Sequence, residues 1–181
     1  MARQGSLSTS RLLLRPLVGS DAPDVQRLAG DRAVAATTLN IPHPYEDGMA
    51  EEWIESQTRE FEKQTVVTFG VVHRESGALV GACGLILNLE HSHAEMGYWI
   101  GKPHWGQGYA TEAAQALLEY GWELGLHRVT ARCFRGNPAS GRVLQKIGME
   151  YEGRLRDHAK KWGRFVDLEI YGILEPCKSE A

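Results

Sequence analysis

The chain has 181 residues, of which 43% are hydrophobic and 24% charged, and its net charge is −3. This composition is typical of a soluble globular domain large enough to bury a core, and the small acidic charge gives no general reason to expect nucleic acid or an anionic membrane as a partner. No apolar run approaches the roughly 20 residues of a membrane span, and residues 1–11 lack the apolar centre of a secretory signal. We therefore expect a cytoplasmic protein, a monomer or a homodimer, with one domain over residues 1–181.

The first half of the chain predicts a strand, two helices and three strands. The strand covers 11–17, and Ser20 or Asp21 is predicted to cap the helix that follows. Apolar residues at helical spacing predict a second helix within 46–64. Residues 65–73 and 78–87 have the pattern of a hairpin, and 93–101 alternates as a further strand, with Met96 and Tyr98 on one face and Glu95 on the other.

The second half predicts a helix that ends near Gly125, a strand at 127–134, a short helix and two final strands that turn near Gly163. Asn137 is the predicted cap of the short helix, and Gly148 follows its end. The order of elements predicts one α/β (α+β) fold with a mixed central sheet of about seven strands and about four flanking helices. The cysteines, which show no CxxC spacing, are Cys83, Cys133 and Cys177; the first two lie in apolar runs and are predicted to be buried thiols.

The stretch "HWGQGYATEAAQALLEYG" combines glycines with the start of the third long helix. Free N–H groups at a helix start, approached through glycines, are suited to bind a phosphate or pyrophosphate. The P-loop pattern fails because Tyr109 follows Gly108, and the dinucleotide pattern fails because its sixth position holds Thr111. A tight strand-to-helix turn without a ligand is the other reading of these glycines.

Two motifs in this half of the chain resemble those of the GCN5-related N-acetyltransferases (GNAT), and the nearest group is the ribosomal-protein N-terminal acetyltransferase (RimJ/RimL-like) branch. The segment from Trp105 to Ala110 fits the glycine motif Q/R-x-x-G-x-G/A, with Trp105 at the Q/R position. A second block fits N-x-x-S-x-x-[LV]-[LM]-x-K-x-G-[FM] through Asn137, Ser140, Val143, Leu144, Lys146, Gly148 and Met149. The opening "TSRLLLRPL" is similar to the family's first strand, so the resemblance covers nearly the whole chain.

The resemblance implies that acetyl-CoA is the cosubstrate and that residues Gln107 to Thr111 hold its pyrophosphate. It also implies backbone N–H donors for the thioester oxygen around Trp99 and Ile100, and a contact of Asn137 with the pantetheine arm. The cofactor-binding residues so implied are Trp99, Ile100, Trp105, Gly106, Gln107, Gly108, Tyr109, Ala110, Thr111, Asn137 and Ser140.

Acetyl transfer to an amine also needs a group that keeps the amine neutral and one that protonates the leaving thiolate. Glu95, acting through water, is the predicted base; the alternative is a solvated strand carboxylate. Some ribosomal-protein acetyltransferases place a carboxylate later in the chain, where this sequence has Ala159, with Asp157 and His158 as neighbours. Ser140 is the predicted acid, because the related branch places a hydroxyl near the sulfur; the alternative is that its hydroxyl satisfies a local backbone group.

Other candidate residues have weaker support from the sequence. Tyr109 and Tyr151 are further proton-donor candidates; Lys102, Arg142 and Lys146 are candidates for the 3′-phosphate of the coenzyme; His43, Tyr45 and Trp53 fall where the family forms its acceptor wall. Zinc ligation by His91, His93 and Glu95 is a rival reading, and we predict no metal.

The resemblance therefore implies an acetyl-CoA-dependent N-acetyltransferase that acts by direct attack in a ternary complex. The predicted acceptor is a primary amine: the N-terminal α-amine of a ribosomal protein or, as the alternative, a small-molecule amine. A non-catalytic acetyl-CoA-binding domain and a dinucleotide oxidoreductase are the competing functions.

Overall fold

A computed structural model describes residues 4–176, and within them eight strands form one mixed sheet in the order β1-β2-β3-β4-β5-β6-β8-β7. The strands are β1 (Leu7–Ser8), β2 (Leu12–Arg15), β3 (Val66–His73), β4 (Leu79–Asn88), β5 (His93–Ile100), β6 (Arg128–Phe134), β7 (Glu150–Lys161) and β8 (Arg164–Leu174). Every neighbouring pair is antiparallel except β5 and β6, which are parallel. The predicted α/β class with a mixed sheet is confirmed, and the two-residue β1 is the strand that the sequence pattern missed.

The described residues also form five α-helices, one more than predicted. They are α1 (Ala22–Ala29), α2 (Arg32–Thr37), α3 (Met49–Glu62), α4 (Tyr109–Glu123) and α5 (Pro138–Lys146). The additional helix is α2, which starts two residues after Gly30 because the Asp31 carboxylate accepts a hydrogen bond from the Ala33 N–H at 2.7 Å. None of the helices within residues 4–176 combines the length and apolar character that a membrane crossing requires.

The helices cover both faces of the sheet. On one face α4 and α5 bury Leu117 and Leu144 against Leu12, Phe69 and Leu85 of the strands. On the other face, α1 and α3 pack on a smaller cluster that includes the ends of β3 and β4. This two-sided burial explains why the central strands are nearly continuous apolar runs.

Asp21 precedes α1, but it does not cap that helix with its side chain as predicted. Its carboxylate instead binds the Arg15 guanidinium through two hydrogen bonds of 2.8 Å and accepts the Val18 N–H at 2.8 Å. Among residues 4–176, Asp21 is the charged residue that the core buries, at 7% exposure. The carboxylate therefore joins β2 to the start of α1, because an ion pair with additional hydrogen bonds compensates its burial better than a cap alone.

The parallel pairing of β5 with β6 is short. The registered pairs run only from His93 with Arg128 to Met96 with Ala131. Beyond them β5 continues along β4 to Ile100, and β6 continues along β8 to Phe134. The two strands therefore separate in the middle of the sheet and leave a gap between their carboxyl ends.

Candidate active site

A groove of about 1220 Å³ passes through this gap. One side is formed by the starts of α4 and α5, and the other by α3, the segment 37–45 and the exposed face of β5. The predicted site residues, except Gln107, line the groove: Glu95, Trp99, Ile100, Trp105, Gly106, Gly108, Tyr109, Ala110, Thr111, Asn137 and Ser140. The fold thus brings together residues that are up to 45 positions apart in the sequence.

The glycine turn before α4 has a backbone that other residues adopt with difficulty. Gly106 and Gly108 have φ angles of +74° and +82°, and Gly108 is the N-cap of α4. No side chain caps this helix end among the described residues. The first N–H groups of α4 are therefore free to bind an anion, and the helix dipole favours negative charge there.

Arg11, which lies just before β2, holds this turn in place. Its Nη1 donates to the Gln107 carbonyl at 2.9 Å, and its guanidinium lies 4.8 Å from the centre of the Tyr109 ring. Its Nε and Nη2 also bind the Glu112 carboxylate, each at 2.7 Å. The carbonyl of Gln107 is thereby turned toward Arg11, so the turn is fixed from outside the groove.

Glu112, in the first turn of α4, accepts further hydrogen bonds from the opening of the chain. Its Oε1 accepts from Thr9 Oγ1 at 2.6 Å, Ser10 Oγ at 3.0 Å and the Arg11 N–H at 2.9 Å. Burial alone would raise the pKa of this carboxyl group, but the hydrogen bonds from Thr9, Arg11 and Ser10 lower the pKa of Glu112 to about 2. The ionised carboxylate ties the N-terminus of α4 to β2.

Trp105 connects the glycine turn to the end of β5. Its indole Nε1 donates to the Ile100 carbonyl at 2.6 Å. The N–H of Gly101 donates to the carbonyl of Val80 on β4. Because N–H groups alternate in direction along a strand, the N–H of Trp99 also points toward β4, whereas those of Tyr98 and Ile100 point into the gap. The gap is therefore bordered by main-chain donors that have no partner strand.

Ser140 lies on the opposite side of the gap, in the first turn of α5. Its N–H donates to the Asn137 side chain at 3.3 Å, which confirms Asn137 as the helix cap. Its Oγ lies 2.9 Å from the hydroxyl of Tyr98. Burial raises the pKa of Tyr98 well above its ordinary value, so this phenol stays protonated and can donate to the serine oxygen.

Cys133 lines the groove beside Ser140 and is a free, buried thiol, as is Cys83. Burial and the nearby Glu169 raise the pKa of Cys133 to about 11, in spite of a hydrogen bond with Ser140. Burial raises the pKa of Cys83 to about 12. Both thiols are therefore protonated near neutral pH, as expected of buried cysteines; Cys177 lies outside the described residues.

Glu95 lies on the face of β5 opposite the buried Met96, as the alternation predicted, and lines the groove. Its two carboxylate oxygens bind Arg132 of β6, with Nε at 2.9 Å from Oε1 and Nη2 at 2.8 Å from Oε2. The Glu95 side chain remains 33% exposed. A bidentate guanidinium fixes the carboxylate beside the gap while part of it still faces the groove.

Comparison with known proteins assigns the fold to a family. A family model described as an acetyltransferase (GNAT) domain matches residues 11–150. The chain belongs to the GNAT acetyltransferase family. It is 32% identical over 173 residues to the uncharacterized N-acetyltransferase p20 of Bacillus licheniformis, covering 94% of this chain and 96% of the relative.

Two further relatives of this GNAT chain carry more specific names. The ribosomal-protein-serine acetyltransferase of Escherichia coli is 34% identical over 79 residues, 43% of this chain and 44% of that protein. A crystal structure of spermidine N-acetyltransferase from Vibrio cholerae in complex with CoA and spermine superposes with a TM-score of 0.79 at 26% identity, over 92% and 96% of the two chains. The first relative supports the RimJ/RimL-like branch that the motifs indicated.

The weaker candidates of the GNAT chain divide into two groups. Tyr45, Trp53, Arg142 and Lys146 line the groove, whereas the groove lining does not include Lys102, Tyr151, His43, Asp157 or His158. His43 instead accompanies Trp162, with ring centres 5.9 Å apart. Tyr151 is 53% exposed and packs on Tyr171.

The described geometry does not support the alternative hypothesis of a zinc site at His91, His93 and Glu95. His91 lies in a short 3₁₀ turn and its ring stacks on that of His93 with centres 6.1 Å apart, while Glu95 is bound to Arg132. Within residues 4–176, no group of three His, Cys, Asp or Glu side chains is arranged to hold a metal ion.

The sequence reasoning missed Arg11, Glu112, Tyr98 and Arg132. Arg11, Tyr98 and Arg132 each contact a predicted site residue from a distant part of the chain. Glu112 contacts Arg11 and so acts on the glycine turn indirectly. Alternation places Tyr98 on the same face as Met96, where a core side chain is expected. The contact of its hydroxyl with Ser140 could therefore not be predicted from the pattern. No local pattern pointed to the other three.

Proposed function

We propose that this GNAT enzyme transfers the acetyl group of acetyl-CoA to a primary amine by direct attack, without a covalent enzyme intermediate, and that residues 1–181 form one catalytic domain. The observation that carries the proposal is the uncapped start of α4 beside the gap between β5 and β6. Free main-chain donors at this corner fit a pyrophosphate and an extended amide-containing arm.

The coenzyme half of the site is assigned to backbone groups. In this proposal the amides from Gln107 to Thr111 bind the pyrophosphate, and glycine at 106 and 108 allows the backbone to approach it closely. Arg142 and Lys146, which line the same half of the groove, are candidates for the 3′-phosphate. Acetyl-CoA supplies the thioester; the protein supplies the positions of the donors around it.

Three groups near the gap are assigned to the chemistry. The Ile100 N–H faces the gap and is placed to stabilise the carbonyl oxygen as negative charge develops on it. Ser140, with Tyr98 donating to its hydroxyl, supplies the proton that the departing thiolate needs. Glu95, oriented by Arg132, accepts a proton from the incoming amine through water.

The proposed acceptor is a primary amine, with the α-amine of a protein as the first choice. This choice is supported by the relative that acetylates the serine of a ribosomal protein, according to its name. It also agrees with the chemistry, because an α-amine has a pKa near 8 and is partly neutral at pH 7, so one paired carboxylate suffices as a base. A small-molecule amine is the alternative acceptor.

The deciding experiment measures thiol release from acetyl-CoA with a panel of N-terminal peptides, amino acids, polyamines and aminoglycosides. Glu95→Gln and Ser140→Ala are each expected to lower kcat by about 100-fold, in the range typical of acid–base groups, without weakening acetyl-CoA binding. Glu90→Gln is a matched control, because this exposed carboxylate lies just before β5 and outside the groove lining.

Two results would replace this function by another. A chain that gains thermal stability with acetyl-CoA but releases no thiol with any amine is a binding domain and no enzyme. A chain that binds NAD and ignores acetyl-CoA is a dinucleotide protein. Equal loss of activity in Glu90→Gln and Glu95→Gln would remove Glu95 from the mechanism.

A further inference from the structure

A second cavity of about 590 Å³ adjoins the acceptor side of the groove. It lies between the end of α2, the segment that joins β6 to α5, and the hairpin of β7 and β8. Thr37, Phe134 and Asn137 line both spaces. The two spaces therefore adjoin at these residues, which places the second cavity beside a molecule bound in the groove.

The lining of the second cavity carries more positive than negative charge. The lining includes three cationic side chains, those of Arg135, Lys161 and Arg164, and one carboxylate, that of Asp167. Asp167 is already bound by Arg154 and accepts the N–H of Asp157 at 2.8 Å, while the Arg135 guanidinium lies farther away, at 4.0 Å. Arg164 forms no ion pair with any residue between 4 and 176. Cationic side chains thus remain available for a ligand.

The tip of the β7–β8 hairpin is built around an unusual residue. Trp162 has a φ of +48° and Gly163 a φ of +80°, the pair of positive angles of a type I′ turn, whose first position favours Asn, Asp or Gly. A bulky side chain in this conformation is costly and persists only where other contacts hold it. Because Asn would adopt this turn conformation at lower cost than Trp, the presence of Trp162 indicates that its side chain has a role beyond the turn.

Contacts of this tip fix the wall of the cavity. The guanidinium of Arg32 lies 5.4 Å from the Trp162 ring centre and the Lys161 Nζ lies 5.3 Å from it. The Lys161 Nζ also donates to the carbonyls of Leu39 and Ile41, at 3.2 and 2.8 Å. The hairpin is therefore attached to the segment that follows α2, and these contacts hold the wall of the cavity in place.

The part of the hairpin around its tip also differs in charge from the rest of the protein. Residues 154–164 contain five Lys or Arg and one Asp, although the whole chain has a net charge of −3. Positive charge concentrated beside a concave site attracts anions and disfavours polycations such as polyamines.

We propose that the acceptor carries an anionic group, a carboxylate or a phosphate, in addition to its amine, and that Arg135 and Arg164 bind this group in the second cavity. The inference rests on the proposed function, because it names the class of acceptor. Two sources have this chemistry: the acidic residue that follows the α-amine of a peptide, and the acid group of a free amino acid or amino phosphate.

The test compares matched acceptors in the thiol-release assay. The peptide amides Ser-Asp-Ala and Ser-Asn-Ala differ only in the anion. Serine and serinamide form the second pair, and their rates are compared per neutral amine because the carboxylate also raises the pKa of the α-amine. We expect a preference of about tenfold or more in kcat/KM for the anionic member of at least one pair, and the pair that shows it identifies the source. Arg135→Gln and Arg164→Gln are expected to reduce this preference about fivefold each while leaving the KM for acetyl-CoA unchanged. Arg156→Gln is the control, because Arg156 is exposed on the same hairpin and does not line the cavity.

A second readout does not depend on turnover. With acetyl-CoA saturating, inorganic phosphate at millimolar concentration is expected to raise the melting temperature of the wild type and of Arg156→Gln, but not of Arg164→Gln. The inference is overturned if neutral and anionic acceptors react equally, if Arg156→Gln loses as much preference as Arg164→Gln, or if phosphate shifts all variants alike. Thiol release without anion preference refutes only this inference; absence of thiol release with every amine refutes the proposed function.

Discussion

The ionised carboxylate of Glu112 is expected to stabilise both the fold and the coenzyme site, and Glu112→Gln tests this role. A carboxyl group whose pKa falls from its ordinary 4.5 to about 2 gains about 3 kcal/mol of stability at neutral pH by linkage. Because the Arg11 side chain is 46% exposed, solvent screens part of this energy, and we expect a loss of about 1–2 kcal/mol on substitution. For a chain of this size that loss lowers the melting temperature by about 5 °C.

The pH dependence has a definite sign. The folded-state pKa is lower than the unfolded one, so the stabilisation is complete above about pH 4.5 and is lost as the pH falls toward 2. The difference in melting temperature between wild type and Glu112→Gln is therefore expected to shrink to less than half of its neutral value by about pH 3. Thermal unfolding followed by circular dichroism between pH 7 and pH 3 measures it.

The same substitution is expected to weaken acetyl-CoA binding severalfold, because it releases Arg11 from the glycine turn; calorimetric titration measures this effect. Glu119→Gln on the exposed side of α4 is the control, since it removes a charge from the same helix without touching Arg11. A Glu112→Gln protein with wild-type melting at pH 7, or with a stability difference that grows as the pH falls, would refute the reasoning.

Three further outcomes follow from the described contacts. Gly108→Ala places a Cβ 3.3 Å from a guanidinium nitrogen of Arg11, at a φ of +82°, so the KM for acetyl-CoA is expected to rise about tenfold. The control is Gly77→Ala, at a φ of +69° in a remote turn, which is expected to cost about 1 kcal/mol of stability and to leave that KM unchanged. Tyr98→Phe is expected to lower kcat about tenfold with little change in either KM, measured by thiol release against Tyr120→Phe, and an unchanged kcat would exclude the hydroxyl from the proton path. Asp21→Asn is expected to lower the free energy of unfolding by about 2–4 kcal/mol in urea titrations with full activity retained, and a change below 0.5 kcal/mol would contradict the role given to this buried ion pair.

The parts of the fold that the sequence predicted are those with a local cause. Alternation identified β5 and correctly placed Glu95 on the face opposite Met96. Asn137 followed by proline marked the start of α5, and Gly148, at a φ of +87°, marked its end. Each of these signals depends on the conformational preference of a few neighbouring residues.

The parts that could not be predicted depend on contacts between distant residues. Arg11 meets Glu112 across 101 positions and Arg132 meets Glu95 across 37, and a charged residue on an exposed face looks the same with or without such a partner. Asp21 was assigned to the helix cap because its position suited one, but the nearby guanidinium of Arg15 competes more strongly for its carboxylate. The six-residue helix α2 was missed because it is too short for a periodic pattern.

The short pairing of β5 with β6 divides the sheet into two panels that meet along four residue pairs. Glu95 lies on β5, in one panel. Ser140 lies in the first turn of α5, the helix that follows β6 of the other panel. A small rotation of one panel against the other therefore changes the separation of the two groups, even when neither has been altered. In the proposed mechanism, substitutions far from the groove, in the layers that hold the panels together, are consequently expected to alter the reaction rate while leaving every residue around the acetyl donor intact.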